Sequence, residues 1–230
     1  MSRMRSRIAW AAPAMLALAL SGCGSRVAPT AAVTTEPPPP QTSPQSTLRL
    51  LEWSYNHQSL EYYRRLFTAD FRFVFSDLDT SGAVYRAVPW TREDELISTA
   101  HLFADAADVL LTLDRNFGLS ADTRPGKDPR WHKTITTQLF LRVQLEDGHA
   151  ENVTGSAKFY FVRGDSALIP DDLQAPPDST VWYIDRWEDF TAPGSGGMSK
   201  ESDFPTRVAS PSGIKGVGAA TWGRLKAVYR

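Results

Sequence analysis

Cysteine is all but missing from this chain: Cys23 is the only one in 230 residues. No internal disulfide can form, and no thiolate cluster can hold zinc. Histidine is scarce as well. His57, His101, His132 and His149 show no metal-ligand spacing, so no metal or cofactor is expected. There is no glycine-rich phosphate loop, and Ser54, Ser59, Ser76 and Ser98 stand in no G-x-S-x-G context. Neither sign of charge dominates: 25 basic residues face 26 acidic ones, a balance that offers nucleic acid no general attraction. No apolar run reaches the roughly 20 residues of a membrane-spanning helix. Aromatics are plentiful instead, with 11 Phe, 7 Trp and 7 Tyr.

Arg3, Arg5 and Arg7 precede a mostly apolar run from Ile8 to Leu20, interrupted by Pro13 and closed by Leu20-Ser21-Gly22-Cys23. This length and these flanks suit a signal peptide rather than a bilayer span. The four closing residues resemble a bacterial lipobox. The resemblance implies cleavage after Gly22, a diacylglycerol on the Cys23 sulfur and acylation of the freed amine, which together make a stable anchor. Gly24 in place of an aspartate resembles lipoproteins sorted to the outer membrane of the cell envelope. Loss of residues 1–22 removes three arginines and no acid, leaving 22 basic residues against 26 acidic ones. The stretch that follows, 23–45, is rich in Pro, Thr and Ala, with Pro37 to Pro40 consecutive. It reads as a semi-rigid polyproline II spacer.

The patterned body runs over 46–191. Ser43 or Ser46 can cap a first helix carrying Leu48, Leu51 and Tyr55, with Pro44 in its first turn. Asn56-His57-Gln58 breaks it, and Leu60, Tyr63, Leu66 and Phe67 mark a second. Phe71, Phe73 and Phe75 alternate as a strand. Thr91 and Asp94 form a capping arrangement for a third helix, with Glu93, Asp94 and Glu95 complementing its dipole and Leu96, Ala100 and Phe103 on one face. Strands follow over 109–113, 135–145, 153–161 and 181–187, the second ending at the turn Glu146-Asp147-Gly148. Strict alternation through the last strand puts Tyr183, Asp185 and Trp187 on one face and Trp182, Ile184, Arg186 and Glu188 on the other. Residues 192–230 comprise a Gly/Ser/Pro segment and then a short amphipathic helix over 219–229 that docks back on the domain.

Helices first and strands after predict an α+β fold, with N-terminal helices packed on a bent, mainly antiparallel sheet in a cone-like arrangement and a short C-terminal helix. The stretch Tyr63-Arg64-Arg65-Leu66-Phe67-Thr68-Ala69-Asp70-Phe71-Arg72-Phe73 resembles the nuclear transport factor 2-like superfamily, which includes ketosteroid isomerase and SnoaL-type cyclases. The resemblance spans about 46–190. It implies a pocket enclosed by sheet and helices, used for catalysis, ligand binding or dimer contacts.

Candidate pocket residues are therefore Tyr63, Asp70, His101, Tyr160, Tyr183 and Asp185, with Asp70, His101 and His132 as candidate catalytic groups. Each has a plainer role beside that one. Asp70 can close a turn, His101 can bond a neighbour on the helix flank, and His132 can sit at a strand rim. Tyr160 and Tyr183 are good strand formers, and Asp185 can pair with an arginine. The sequence thus points to a non-catalytic, outer-membrane-tethered domain that binds a small apolar ligand or an envelope protein. The competing reading is a cyclase, isomerase or dehydratase using Asp70 with a histidine or tyrosine in the cone. A third is a cone filled by bulky side chains. A homodimer is implied only by the family resemblance.

Overall fold

The computed structural model describes residues 36–79, 83–164, 180–190 and 216–230, with backbone alone for 216–220. The expected signal segment and lipobox, most of the expected spacer and the Gly/Ser/Pro segment lie outside the described residues.

Ser43 opens helix α1 (Pro44–Asn56) with a reciprocal cap: its hydroxyl accepts from the Ser46 N–H, and the Ser46 hydroxyl accepts from the Ser43 N–H. Both candidate serines are therefore used. Leu48, Leu51 and Tyr55 face inward and are fully buried. Helix α2 (Leu60–Arg64) ends before Leu66, and Phe67 instead starts strand β1 (Phe67–Val74). Helix α3 (Ala83–Ala87) and the two-residue strand β2 (Trp90–Thr91) lead into helix α4 (Arg92–Asp105). Thr91 caps α4, its hydroxyl accepting from the Asp94 N–H at 3.3 Å while the Asp94 carboxylate accepts from the Thr91 N–H at 2.9 Å.

The strands β3 (Ala106–Leu113), β4 (Leu119–Ala121), β5 (His132–Leu145), β6 (His149–Arg163), β7 (Trp182–Asp189) and β8 (Gly216–Ala220) complete the sheet, and helix α5 (Trp222–Val228) ends the fold. The sheet order is β2-β1-β7-β6-β5-β3, with β4 paired to β5 and β8 to β6. Among the described strands only β1–β7 and β6–β8 run parallel, so the sheet is mixed and mainly antiparallel. The long β5–β6 hairpin reverses at Gly148, whose φ of 88° lies in the left-handed region that glycine adopts without strain. This is the α+β architecture that the element order predicts. Its helices cover one side of a bent sheet, and α5 belongs to the same core.

The free edge of β3 is covered by side chains of α1. The Asn56 amide accepts from the Leu111 N–H at 2.6 Å and donates to the Leu111 carbonyl at 3.0 Å. Glu52 accepts from the Leu113 N–H at 3.0 Å. A side chain thus takes the place of a neighbouring strand, which blocks strand addition along that edge.

Candidate functional site

On the helix-covered side, Leu48, Tyr55, Tyr63, Phe71, Phe159 and Trp187 all point into one core and none is more than 1% exposed. The buried stripe of α4 is Glu95, Ser98, Thr99 and Leu102, spaced i, i+3, i+4, i+7. It lies beside the expected Leu96–Ala100–Phe103 face, whose Leu96 and Phe103 are only partly buried. The cone therefore receives a carboxylate. Glu95 is 0% exposed; its Oε2 accepts from the Trp90 indole at 3.0 Å, and its Oε1 accepts from the Tyr63 hydroxyl and the Lys226 ammonium.

Lys226 comes from α5, 131 residues further along. Its ammonium lies 4.6 Å from the Phe73 ring centre, 4.7 Å from that of Trp187 and 5.8 Å from that of Trp222. Aromatic faces attract a desolvated cation. Burial pushes the lysine below its ordinary value, against the opposing charges of Glu95 and Asp189. Burial and the Glu95 charge push the Tyr55 and Tyr63 phenols upward. Trp222, 2% exposed, stacks obliquely on Trp187 at 4.8 Å and on Tyr55 at 5.5 Å. The helix is held by the Ser98 hydroxyl on the Lys226 carbonyl (3.0 Å) and by Arg230 on Asp94 (2.7 Å). The C-terminal helix thus buries Trp222, Leu225 and Lys226 in the core on this side of the sheet.

The sequence candidates separate between the two sides of the sheet. Tyr63 alone reaches the cone. Tyr160, flanked by inward Phe159 and Phe161, must point the other way, as do Asp70 between Ala69 and Phe71 and His132 opposite Val162. The register of β6 on β7 jumps from Phe161↔Ile184 to Tyr160↔Arg186, leaving Asp185 as an extra, bulged residue. The bulge corrects the strict alternation. Trp187 joins Ile184 on the inner side, while Tyr183 and Asp185 lie on the outer one. Five candidates thus share the outer face, beneath the segment that joins β4 to β5.

That segment supplies Arg124, which donates to Asp122 at 2.6 Å and to Asp185 at 2.8 Å while lying over the Tyr160 ring at 4.2 Å. Burial works against the Arg124 charge, but the two carboxylates outweigh it and raise its value. Lys127 lies 3.9 Å from Asp185. Burial pushes Asp70 up, with the Thr68 hydroxyl opposing, and pushes His132 down. The His132 Nδ1–H donates to the Asp128 carbonyl at 3.1 Å, which leaves Nε2 buried without a partner, as are one oxygen each of Asp70 and Asp185. Burial and Glu188 push Tyr160 to about 12. His101 is exposed on α4 and bonds the Tyr229 carbonyl at 2.8 Å, so Asp70 and His101 lie on different sides of the sheet and form no pair. Among the described residues no three or more His, Cys, Asp or Glu side chains gather as metal ligands would.

Sequence reasoning does not find Glu95 or Lys226. By pattern alone Glu95 is a charge near a helix start, and Lys226 is one of three cations on a tail. The available signal is the polar i, i+3, i+4 stripe Glu95–Ser98–Thr99 in a helix that must bury one face.

No protein-family model matches the chain, and no curated protein does. Several solved structures are similar to it. One is a nuclear transport factor 2-like superfamily protein from Salmonella enterica serovar Typhimurium, 12% identical, covering 67% of this chain and 92% of the other at a TM-score of 0.43. A hexachlorocyclohexane dehydrochlorinase (LinA) of type 2 is 8% identical, covering 70% and 92% at 0.43. A conserved protein from Planctomyces limnophilus is 13% identical, covering 64% and 92% at 0.44. Nuclear transport factor 2-like proteins are thus among the structures this α+β chain is similar to.

Proposed function

We propose that the protein is a non-catalytic binding module of the cell envelope, anchored in the outer membrane through lipid on Cys23 and held away from it by the proline-rich spacer. The observation that supports the non-catalytic part is the packing of the cone: Trp222 and the Lys226–Glu95 pair lie buried inside it. Recognition of a small ligand or an envelope partner then falls to the outside of the domain. The anchor rests on the Leu20–Cys23 motif and on the absence of any other cysteine.

Two measurements test this reading. Full-length protein and its Cys23→Ser variant are fractionated and their mass determined; the reading expects a diacylglyceryl mass on Cys23 and release of the variant from the membrane. An environment-sensitive apolar dye such as anilinonaphthalene sulfonate is then added to the native protein. Stoichiometric uptake into the cone, with Trp222 becoming solvent-exposed, would overturn the filled-cone reading.

One observation favours a second reading. A carboxylate, a phenol and an ammonium meet in one buried cluster, the groups that acid–base chemistry uses. If α5 leaves the cone on substrate binding, Glu95 and Tyr63 become an acid–base pair. Turnover of an enolisable ketone that disappears in Glu95→Gln would favour this enzyme over the binding module.

A further inference from the structure

Arg72 on β1 and Arg186 on β7 are register partners on adjacent parallel strands. Both lie on the outer face, because their neighbours Phe73 and Trp187 pack together inside at 5.4 Å. Strands lie about 4.8 Å apart, and like charges placed directly opposite one another destabilise a sheet. Glu188 relieves only one of the two. Its Oε1 accepts from Arg186 at 2.7 Å, and its Oε2 is used by the Tyr160 hydroxyl at 2.8 Å. Arg72 donates to the carbonyls of Asp70 and Phe71, at 3.0 and 2.8 Å, and has no carboxylate partner among the described residues.

A third guanidinium, Arg86, is fixed beside them by the carbonyls of Asp77 and Asp79, each at 3.0 Å. The three arginines line one open groove of about 440 Å³ together with Phe73, Val74, Phe75, Tyr85, Pro89 and one acid, Asp77, whose carboxylate lies 3.9 Å from Arg86. A second hollow of about 290 Å³ shares the Val74–Phe75 ridge and carries Leu78 and Phe190 beside Asp77, Asp189 and the Arg186-paired Glu188; Leu78 and Phe190 are 62% and 52% exposed. Val84 and Val88, 69% and 59% exposed, belong to the same α3 region. In a chain that carries more acid than base, cations and exposed apolar side chains meet at one spot. Guanidiniums held by backbone carbonyls lose little freedom on gripping a planar or tetrahedral oxyanion.

We propose that this groove binds an anionic amphiphile, a phosphate or carboxylate head on an alkyl chain, with the head between Arg72 and Arg186 and the chain along Tyr85, Pro89 and the Leu78–Phe190 hollow. The inference stands on the groove alone and needs neither the lipid anchor nor the filled cone.

The test is equilibrium dialysis of the full-length protein in a nonionic detergent, with hexyl phosphate, hexanol and inorganic phosphate as probes. Hexyl phosphate is expected to bind about tenfold or more tighter than either fragment. Arg72→Gln and Arg186→Gln are each expected to weaken it about tenfold or more, the loss of one charge-assisted contact. Arg72→Lys, which keeps the charge without the fork, should fall between. Thermal denaturation of each variant separates loss of the site from loss of the fold, and Arg86→Gln, remote from the sheet register, supplies an independent arm. Equal affinity for hexyl phosphate and inorganic phosphate would reduce the groove to a free-anion site and sink the proposal. Binding indifferent to all three arginines would do the same. So would an acidic peptide that outcompetes hexyl phosphate in an arginine-dependent way, since it would mark a protein-docking surface.

Discussion

Replacing Lys226 by Met keeps most of the stem's volume inside the cone but removes the ammonium from Glu95. The carboxylate would retain the Tyr63 and Trp90 donors, yet it would be a buried charge without its counterion. Breaking a buried pair from one side costs about 3–5 kcal/mol. Glu95→Gln breaks it from the other side and leaves the ammonium to the Phe73, Trp187 and Trp222 rings and the more distant Asp189, so a loss of similar size is expected. The double variant Glu95→Gln/Lys226→Met removes both charges. Its remaining defect is one donor, from Tyr63 or Trp90, facing the amide nitrogen of the introduced glutamine, worth about 1–3 kcal/mol. The double variant should therefore be more stable than either single one. In a domain of this size, where each kcal/mol moves the midpoint by about 2–4 °C, each single variant should melt about 10 °C early. Urea denaturation followed by tryptophan fluorescence supplies the three free energies. Single losses below about 1 kcal/mol that simply add would be the behaviour of an exposed ion pair and would refute the buried-pair argument.

Gly223 supplies a second test of the same seat. A Cβ there would lie 2.0 Å from an Asp79 carboxylate oxygen and 2.6 Å from the Phe75 ring, so Gly223→Ala should cost about 1–3 kcal/mol and shift Trp222 emission to the red. At high pH, the folded state holds Tyr55 and Tyr63 above the ordinary 10.0, so the unfolded chain ionises them first. Their contribution is whole below pH 10 and is lost as pH rises beyond it. Absorbance at 295 nm should show these two tyrosinates only when the chain unfolds, and early reversible titration of all seven tyrosines would contradict this. Asn56→Ala strips both partners from Leu111 on the β3 edge. A loss of about 1–3 kcal/mol is expected, together with concentration-dependent association in sedimentation velocity. A strictly monomeric, equally stable variant would show that the edge needs no cover.

Local signals are readable because they are local. Ser43 and Ser46, Thr91 and Asp94, and Gly148 each act within a few residues, and the structure uses each of them at a cap or turn. The aromatic alternation of Phe71, Phe73 and Phe75 likewise marks an inward strand face. What escapes depends on distance or on a single inserted residue. Glu95 and Lys226 are of residue types normally left in water, and only their meeting across 131 positions makes either of them buried. Asp185 shows the other difficulty. One bulge moves Trp187 to the opposite face from Tyr183, and nothing in Trp182–Asp189 signals where the extra residue falls. The outward aim of Tyr160 is implicit between Phe159 and Phe161, whereas that of Asp70 and His132 requires knowing which side the helices cover.

The seat of Lys226 can be observed directly by NMR of protein labelled at lysine carbon and nitrogen. Ring currents from Phe73, Trp187 and Trp222 should move its ε-methylene protons far upfield, and its ammonium protons should exchange slowly enough to correlate with the nitrogen. A Lys226 signal with solvent-like shifts and fast-exchanging protons would mean that the C-terminal helix does not fill the cone.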